Sequence, residues 1–112
     1  MSASGWIGVD LDGTLAKYNG WNNGEIGEPV PLMVKRVKGW IAEGVIVKIF
    51  TARISIEEDR DLVVEKIQDW TQKHIGERLE VTNQKDYSMV ELWDDRAIQV
   101  IPNKGIRVDG LR

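Results

Sequence analysis

The sequence predicts an α/β protein, a parallel β-sheet with helices on both faces, built as one domain over residues 1–112. Three observations predict it. Short apolar runs alternate with longer segments whose apolar residues recur at helical spacing, the pattern of strand–helix–strand units. Three of those runs end directly on a polar residue able to do chemistry: Asp10, Thr51 and Asp94. At 112 residues, 42% hydrophobic and 29% charged, the chain can bury roughly two-thirds of its unfolded surface in one core, with nothing left for a second lobe.

The elements follow in order. Trp6 to Val9 is a buried strand ending at Asp10. Tyr18 to Gly27 is rich in turn formers (Asn19-Gly20, Asn22-Asn23-Gly24, Gly27) and reads as a hairpin or flap. Pro29 and Pro31 lead into a helix with the apolar stripe Val30, Val34, Val37 and Ile41, widened by Met33 and Trp40 and stopped at Gly44. Val45 to Phe50 is the second strand. Ser55-Ile56-Glu57-Glu58 has capping-box spacing and should open a second helix, with the face Ile56, Val63, Ile67, Trp70 and His74 and a stop at Gly76. Leu79 to Thr82, Glu91 to Trp93 and Ala97 to Ile101 complete the expected strands.

Composition excludes several classes. With no cysteine there is neither a disulfide nor a thiolate metal site, so a metal would be held by oxygen, which suits a hard cation such as Mg2+. A net charge of -3 argues against general nucleic-acid coating. The start, Met1 to Gly5, lacks the basic and apolar regions of a signal peptide, and no window approaches the ~20 apolar residues of a membrane span. A cytoplasmic protein with no membrane partner is expected.

In parallel sheets, ligands bind beyond the carboxyl ends of the strands, so Asp10, Thr51 and Asp94 converge on one edge. Phosphoryl transfer fits what they carry. Asp10 can attack phosphorus in line, giving an aspartyl-phosphate that divides one hard displacement into two easier ones. Asp12 can protonate the leaving oxygen and then deprotonate the attacking water. Mg2+ held by Asp10, the backbone carbonyl of Asp12 and the Asp94-Asp95 pair would offset repulsion between nucleophile and phosphate. Thr51 supplies a hydroxyl and Lys85 a cation toward the transferring oxygens, with the backbone N–H groups of Leu11 and Asp12 completing the cradle. In the stretch Thr51-Ala52-Arg53 the planar fork of Arg53 suits either a substrate phosphate or a carboxylate at the rim. Lys48, the rival to Lys85, lies inside the second strand, roughly 10 Å below its end.

These residues resemble the haloacid dehalogenase (HAD) superfamily, specifically its small capless phosphatases. Asp10-Leu11-Asp12-Gly13-Thr14-Leu15 is similar to its first motif, Thr51 to its second, Lys85 to its third and Asp94-Asp95 to its fourth, so the resemblance covers nearly the whole chain. It implies a Rossmann-like sheet of order 5-4-1-2-3, a Mg2+ cofactor and hydrolysis of a phosphate monoester by the two-step route. In that superfamily phosphatases carry Asp where this chain has Asp12, and P-type ATPases carry Thr. Caps are inserted after the first motif or between the second and third; here Ala16 to Glu28 is only a flap, and Ile54 to Gln84 is used up by a helix and a strand. An open site suits a bulky phosphorylated substrate, such as a polynucleotide end, a phosphoprotein or a large sugar phosphate, unless a second subunit of the same chain covers it.

Two other functions compete. A phosphoacceptor receiver domain places its acidic pair after the first strand and its acceptor mid-chain, the reverse of the order here. A phosphate- and Mg2+-binding module without turnover has no use for Asp12. Trp21 in the flap is read as an anchor or as a platform for a base or sugar. His74 is read as structural, and Lys35, Arg36 and Lys38 as a solvated basic face.

Overall fold

The chain is described from a computed structural model, over residues 5–55 and 58–111. Its elements are β1 (Trp6–Asp10), α1 (Pro31–Ala42), β2 (Ile46–Phe50), α2 (Arg60–His74), β3 (Val81–Thr82) and β4 (Met89–Trp93). The strands form one parallel sheet in the order β3-β2-β1-β4. Four parallel strands and two helices make an α/β arrangement compatible with a Rossmann-like fold.

Each element has a local cause. Pro31 opens α1 at its first turn, where a missing N–H costs nothing, and Gly44 follows its end at φ +84°. Strand register places Ile7 beside Val47 and Val9 beside both Ile49 and Trp93, so these side chains share one face. Met33 and Val37 of α1 and Ile67 of α2 close over that face in a single core with Leu11 and Leu15. Ile7, Val9 and Ile49 are fully buried, each worth about 1.5–3 kcal/mol against exposure.

Both helices therefore cover the same face, which corrects the expectation of helices on both. The reason is topological. The path β1-α1-β2-α2-β3 moves one strand at a time in one direction, and right-handed crossovers then put every helix on one side. A helix on the other face would have to lie in the link from β3 to β4, and that link, Asn83 to Ser88, crosses to the far flank of β1 without one. On that second face the Trp6 ring lies across Gly8, where an added Cβ would sit 3.1 Å from it. Trp6 is only 2% exposed, its indole N–H donates to Asp86 (2.9 Å), and the Lys48 ammonium lies 4.6 Å from the ring centre.

Two further expectations change. The box at Ser55 does not start α2, which begins at Arg60 with Asp59 before it; Ser55 instead donates to the Ala52 carbonyl, while Ile56 and Glu57 lie outside the described residues. Ala97 to Ile101 forms no fifth strand. Asn103 and Gly105, both at positive φ, turn the chain back, so Ile101 N–H donates to Ile106 (2.7 Å) and Val108 N–H to Gln99 (2.9 Å) rather than to β4. No helix among the described residues is long and apolar enough to cross a membrane.

Candidate metal centre and flap cleft

The site is built on strand ends. Asp10 pairs in register with Phe50, and Val9 with Trp93, so β1, β2 and β4 finish level and hand Asp10, Thr51 and Asp94 to one edge. The turn after β1 folds tightly: Leu15 N–H donates to the Asp10 carbonyl (3.2 Å), Ala16 N–H to Leu11 (2.8 Å) and Gly13 N–H to Ala16 (2.8 Å). Gly13 sits at φ +89°, and an added Cβ would stand 2.6 Å from an Asp95 carboxylate oxygen. Only glycine serves both demands.

Thr14 joins this turn to the end of β4. Its hydroxyl accepts the Asp95 N–H (3.0 Å) and donates to the Asp95 carboxylate (3.2 Å), with an Asp10 oxygen 3.4 Å away. Asp10, Asp94 and Asp95 each offer a carboxylate oxygen, and these oxygens lie within 4.8 Å of one another. Among the described residues no Lys or Arg is ion-paired with any of the three. Burial, the contact with Asp95, and the negative charges of Asp94, Asp95 and Asp12 push the Asp10 carboxyl up to about 7. An all-carboxylate donor set under mutual repulsion fits a hard divalent cation, with Asp10, Asp94 and Asp95 as its holders.

Asp12 lives differently. Both of its oxygens are taken by Arg53, from Nε at 2.6 Å and Nη2 at 2.8 Å. Thr51, only 3% exposed, holds the Arg53 backbone with its side-chain oxygen 3.1 Å from the Arg53 amide, which caps the 3-10 turn Ala52–Ile54. From there Arg53 reaches the flap, donating to the carbonyls of Gly24 (2.7 Å) and Glu25 (3.3 Å), with the Trp21 ring 5.0 Å from its guanidinium carbon.

The flap neck is a short antiparallel ladder in which Lys17 N–H donates to Glu28 (2.8 Å); Gly27 is obligatory there, because a Cβ would come within 2.0 Å of the Lys17 carbonyl oxygen. On its other side α2 holds the flap through Trp70 to Gly27 (3.1 Å) and Lys66 to Gly24 (3.0 Å).

Strand ends and flap enclose a cleft of about 780 Å³. Asp10, Asp12, Thr51, Ala52, Arg53, Asp94 and Asp95 all line it, as the sequence predicts. Leu11 is fully buried, so only its backbone could face a ligand. Lys85 is the exception: exposed on the loop after β3, it does not line the cleft, whose wall there is Asn83. The neighbouring Asp86 is tied to Trp6 and caps Ser88 N–H (2.8 Å), which draws this loop toward the helix-free face. Lys48 is no substitute, since it pairs with Glu80 at 3.1 Å.

Several lining residues escape sequence reasoning: Tyr18, Phe50, Asn83 and Arg96. Arg96 directly follows the acidic pair and Phe50 directly precedes Thr51, so adjacency was the available signal. Trp21 is 59% exposed and Tyr18 48%, giving the cleft an aromatic flap wall. His74 packs on Trp70, ring centres 4.6 Å apart, away from this chemistry.

No protein-family model and no curated protein matches the chain. In three dimensions it is similar to a solved structure of a conserved protein from Bacteroides thetaiotaomicron, with TM-score 0.60 and 21% identity over 87% of this chain and 80% of that one. That likeness concerns the fold.

Proposed function

We propose that this chain is a Mg2+-dependent phosphatase of the HAD type, hydrolysing a phosphate monoester through an aspartyl-phosphate on Asp10. One observation carries the reading: a carboxylate triad with no ion-paired Lys or Arg among the described residues stands at the ends of β1 and β4, beside a further carboxylate, Asp12, in its own ion pair. The strand order β3-β2-β1-β4 among the described residues supports the reading, since it is compatible with the order 5-4-1-2-3 that the resemblance implies.

Asp10 attacks phosphorus, forming the Asp10 O–P bond as the ester P–O bond breaks and the electron pair leaves with the alkoxide. Asp12 enters this step protonated, gives that proton to the leaving oxygen and regains one from the water that splits the aspartyl-phosphate, releasing inorganic phosphate and restoring the acid for the next cycle. Asp10, Asp94, Asp95 and the Asp12 backbone carbonyl would hold Mg2+, which would supply charge neutralisation at the nucleophile and the phosphoryl oxygens. Thr51 and the Leu11 and Asp12 backbone N–H groups are donors toward those oxygens, and Arg96, which lines the cleft after β4, adds a cation. The open mouth and aromatic wall suit a phosphorylated substrate larger than phosphate itself.

The test is release of inorganic phosphate from p-nitrophenyl phosphate and a panel of sugar phosphates, nucleotides and phosphorylated oligonucleotides, with Mg2+ and with chelator. Turnover that needs Mg2+ and disappears in Asp10→Asn supports the reading. Turnover retained in Asp10→Asn overturns it.

A further inference from the structure

The sequence offers Arg53 two occupations, a substrate phosphate or a carboxylate at the rim. The structure shows how its donors are spent. A guanidinium has five N–H donors in one plane. Nε and Nη2 take the two Asp12 oxygens, Nη1 takes the Gly24 carbonyl, and Nη2 also takes Glu25. The side chain is 6% exposed, between Asp12 and the flap carbonyls with the Trp21 ring against it. Four of the five donors are thereby spent, and the one left, on Nη1, cannot form a two-point grip, so clamping an incoming phosphate would mean giving up buried charge-assisted bonds.

The flap end of this connection is itself held. Lys66 donates to the same Gly24 carbonyl that Arg53 uses and pairs with Glu25 (3.2 Å), and Trp70 holds Gly27. Asn22 and Asn23 adopt left-handed backbone, at φ 43° and 54°, in the turn that leads to Gly24 and Glu25. The Asp12 carboxylate is thus fixed by a chain of contacts running from α2 through the flap to Arg53. Without Arg53 it would hang from a tight surface turn, its oxygens unheld.

We propose that Arg53 is a positioning residue that braces the Asp12 carboxylate against the flap, so that the flap acts on the reaction by orienting Asp12 as well as by shaping the cleft. This rests on the phosphatase reading only for its kinetic consequence. A lysine cannot replace the brace, because one ammonium does not span two carboxylate oxygens and two carbonyls in a plane.

The experiment pairs hydrogen exchange of the flap, residues 18–27, with kinetics on p-nitrophenyl phosphate and Mg2+, for the wild type, Arg53→Lys, Asp12→Ala and the double variant. β1 amides serve as the control that the fold is kept. The brace predicts flap exchange faster by roughly 10-fold in both single variants. It also predicts kcat in Arg53→Lys lowered by roughly 10- to 100-fold, KM within about twofold, and no further loss when Arg53→Lys is added to Asp12→Ala. Unchanged flap exchange in both single variants overturns the proposal, as does a raised KM with kcat kept, which would make Arg53 a substrate ligand. Coupled flap exchange with no turnover in the wild type would uphold the brace and overturn the phosphatase.

Discussion

The cleft has two halves, and the two carboxylates of one short turn fall on opposite sides of the divide. Asp10 belongs to the strand-end half, where three acidic side chains crowd together and no Lys or Arg among the described residues is paired to them. Asp12 belongs to the flap half, where one guanidinium takes both its oxygens. The positions are two apart in sequence and alike in chemistry, yet their surroundings differ in sign. A carboxylate among negative charges is prepared to hold a cation or attack once that charge is relieved; one held by Arg is prepared to be aimed. Local sequence supplies the acid groups, and the partners brought from elsewhere in the chain divide the work.

The comparison breaks most sharply if Asp10 is dispensable. Asp10→Asn is expected to lower turnover of p-nitrophenyl phosphate by at least roughly 10³-fold, read by phosphate release. Asp12→Asn keeps the size of the side chain but loses its proton chemistry and one of the two acceptors for Arg53, and is expected to lower kcat by roughly 10²-fold or more in the same assay. Equal losses in the two variants would argue that both residues serve one function.

Removing a charge from the strand-end half should act oppositely with and without metal. In chelator, Asp95→Asn relieves repulsion worth about 1 kcal/mol and raises the melting temperature by about 4 °C; in Mg2+ the wild type overtakes it, because a holder has been lost. Calorimetry under both conditions reads the crossover.

The pH dependence follows the same logic. Asp10 has an ordinary value of 3.8 and is pushed up to about 7 in the fold, so the folded chain binds the extra proton. Its stabilisation is complete below about pH 4 and is lost as pH rises through about 7. In chelator the melting temperature should therefore carry a downward component from pH 4 to pH 8 that Asp10→Asn lacks, and Mg2+ should restore stability most at the high end. A flat wild-type profile would remove the electrostatic contrast. The smallest effect is expected outside both halves: Lys85→Ala should change kcat/KM by less than about threefold, since Lys85 does not line the cleft. A loss like that of Asp12→Asn would restore it to the reacting oxygens.

Much of this was legible along the chain. The runs before Asp10, Thr51 and Asp94 became the ends of β1, β2 and β4, because a buried apolar run that stops at a polar group marks where a strand leaves the core. The helix from Pro31 to Ala42 was legible because its start and stop residues act on their own backbone. The capping box at Ser55 misled for the converse reason. Its spacing was right, but the Ser55 side chain found the Ala52 carbonyl, so the helix began later.

By itself, the sequence determined the acidic turn, the strand ends that aim it and the turn-rich flap, since all three depend on residues within a few positions of one another. Only the tertiary structure decided that both helices share a face, that Lys85 leaves the cleft and that the tail folds back on itself. It alone paired Arg53 with Asp12 across 41 positions, and with that pair separated the surroundings of Asp10 from those of Asp12. The physical reason is range: propensity, capping and burial pattern act along the backbone, whereas the charge environment of a side chain is set by whatever the fold brings within a few ångströms of it.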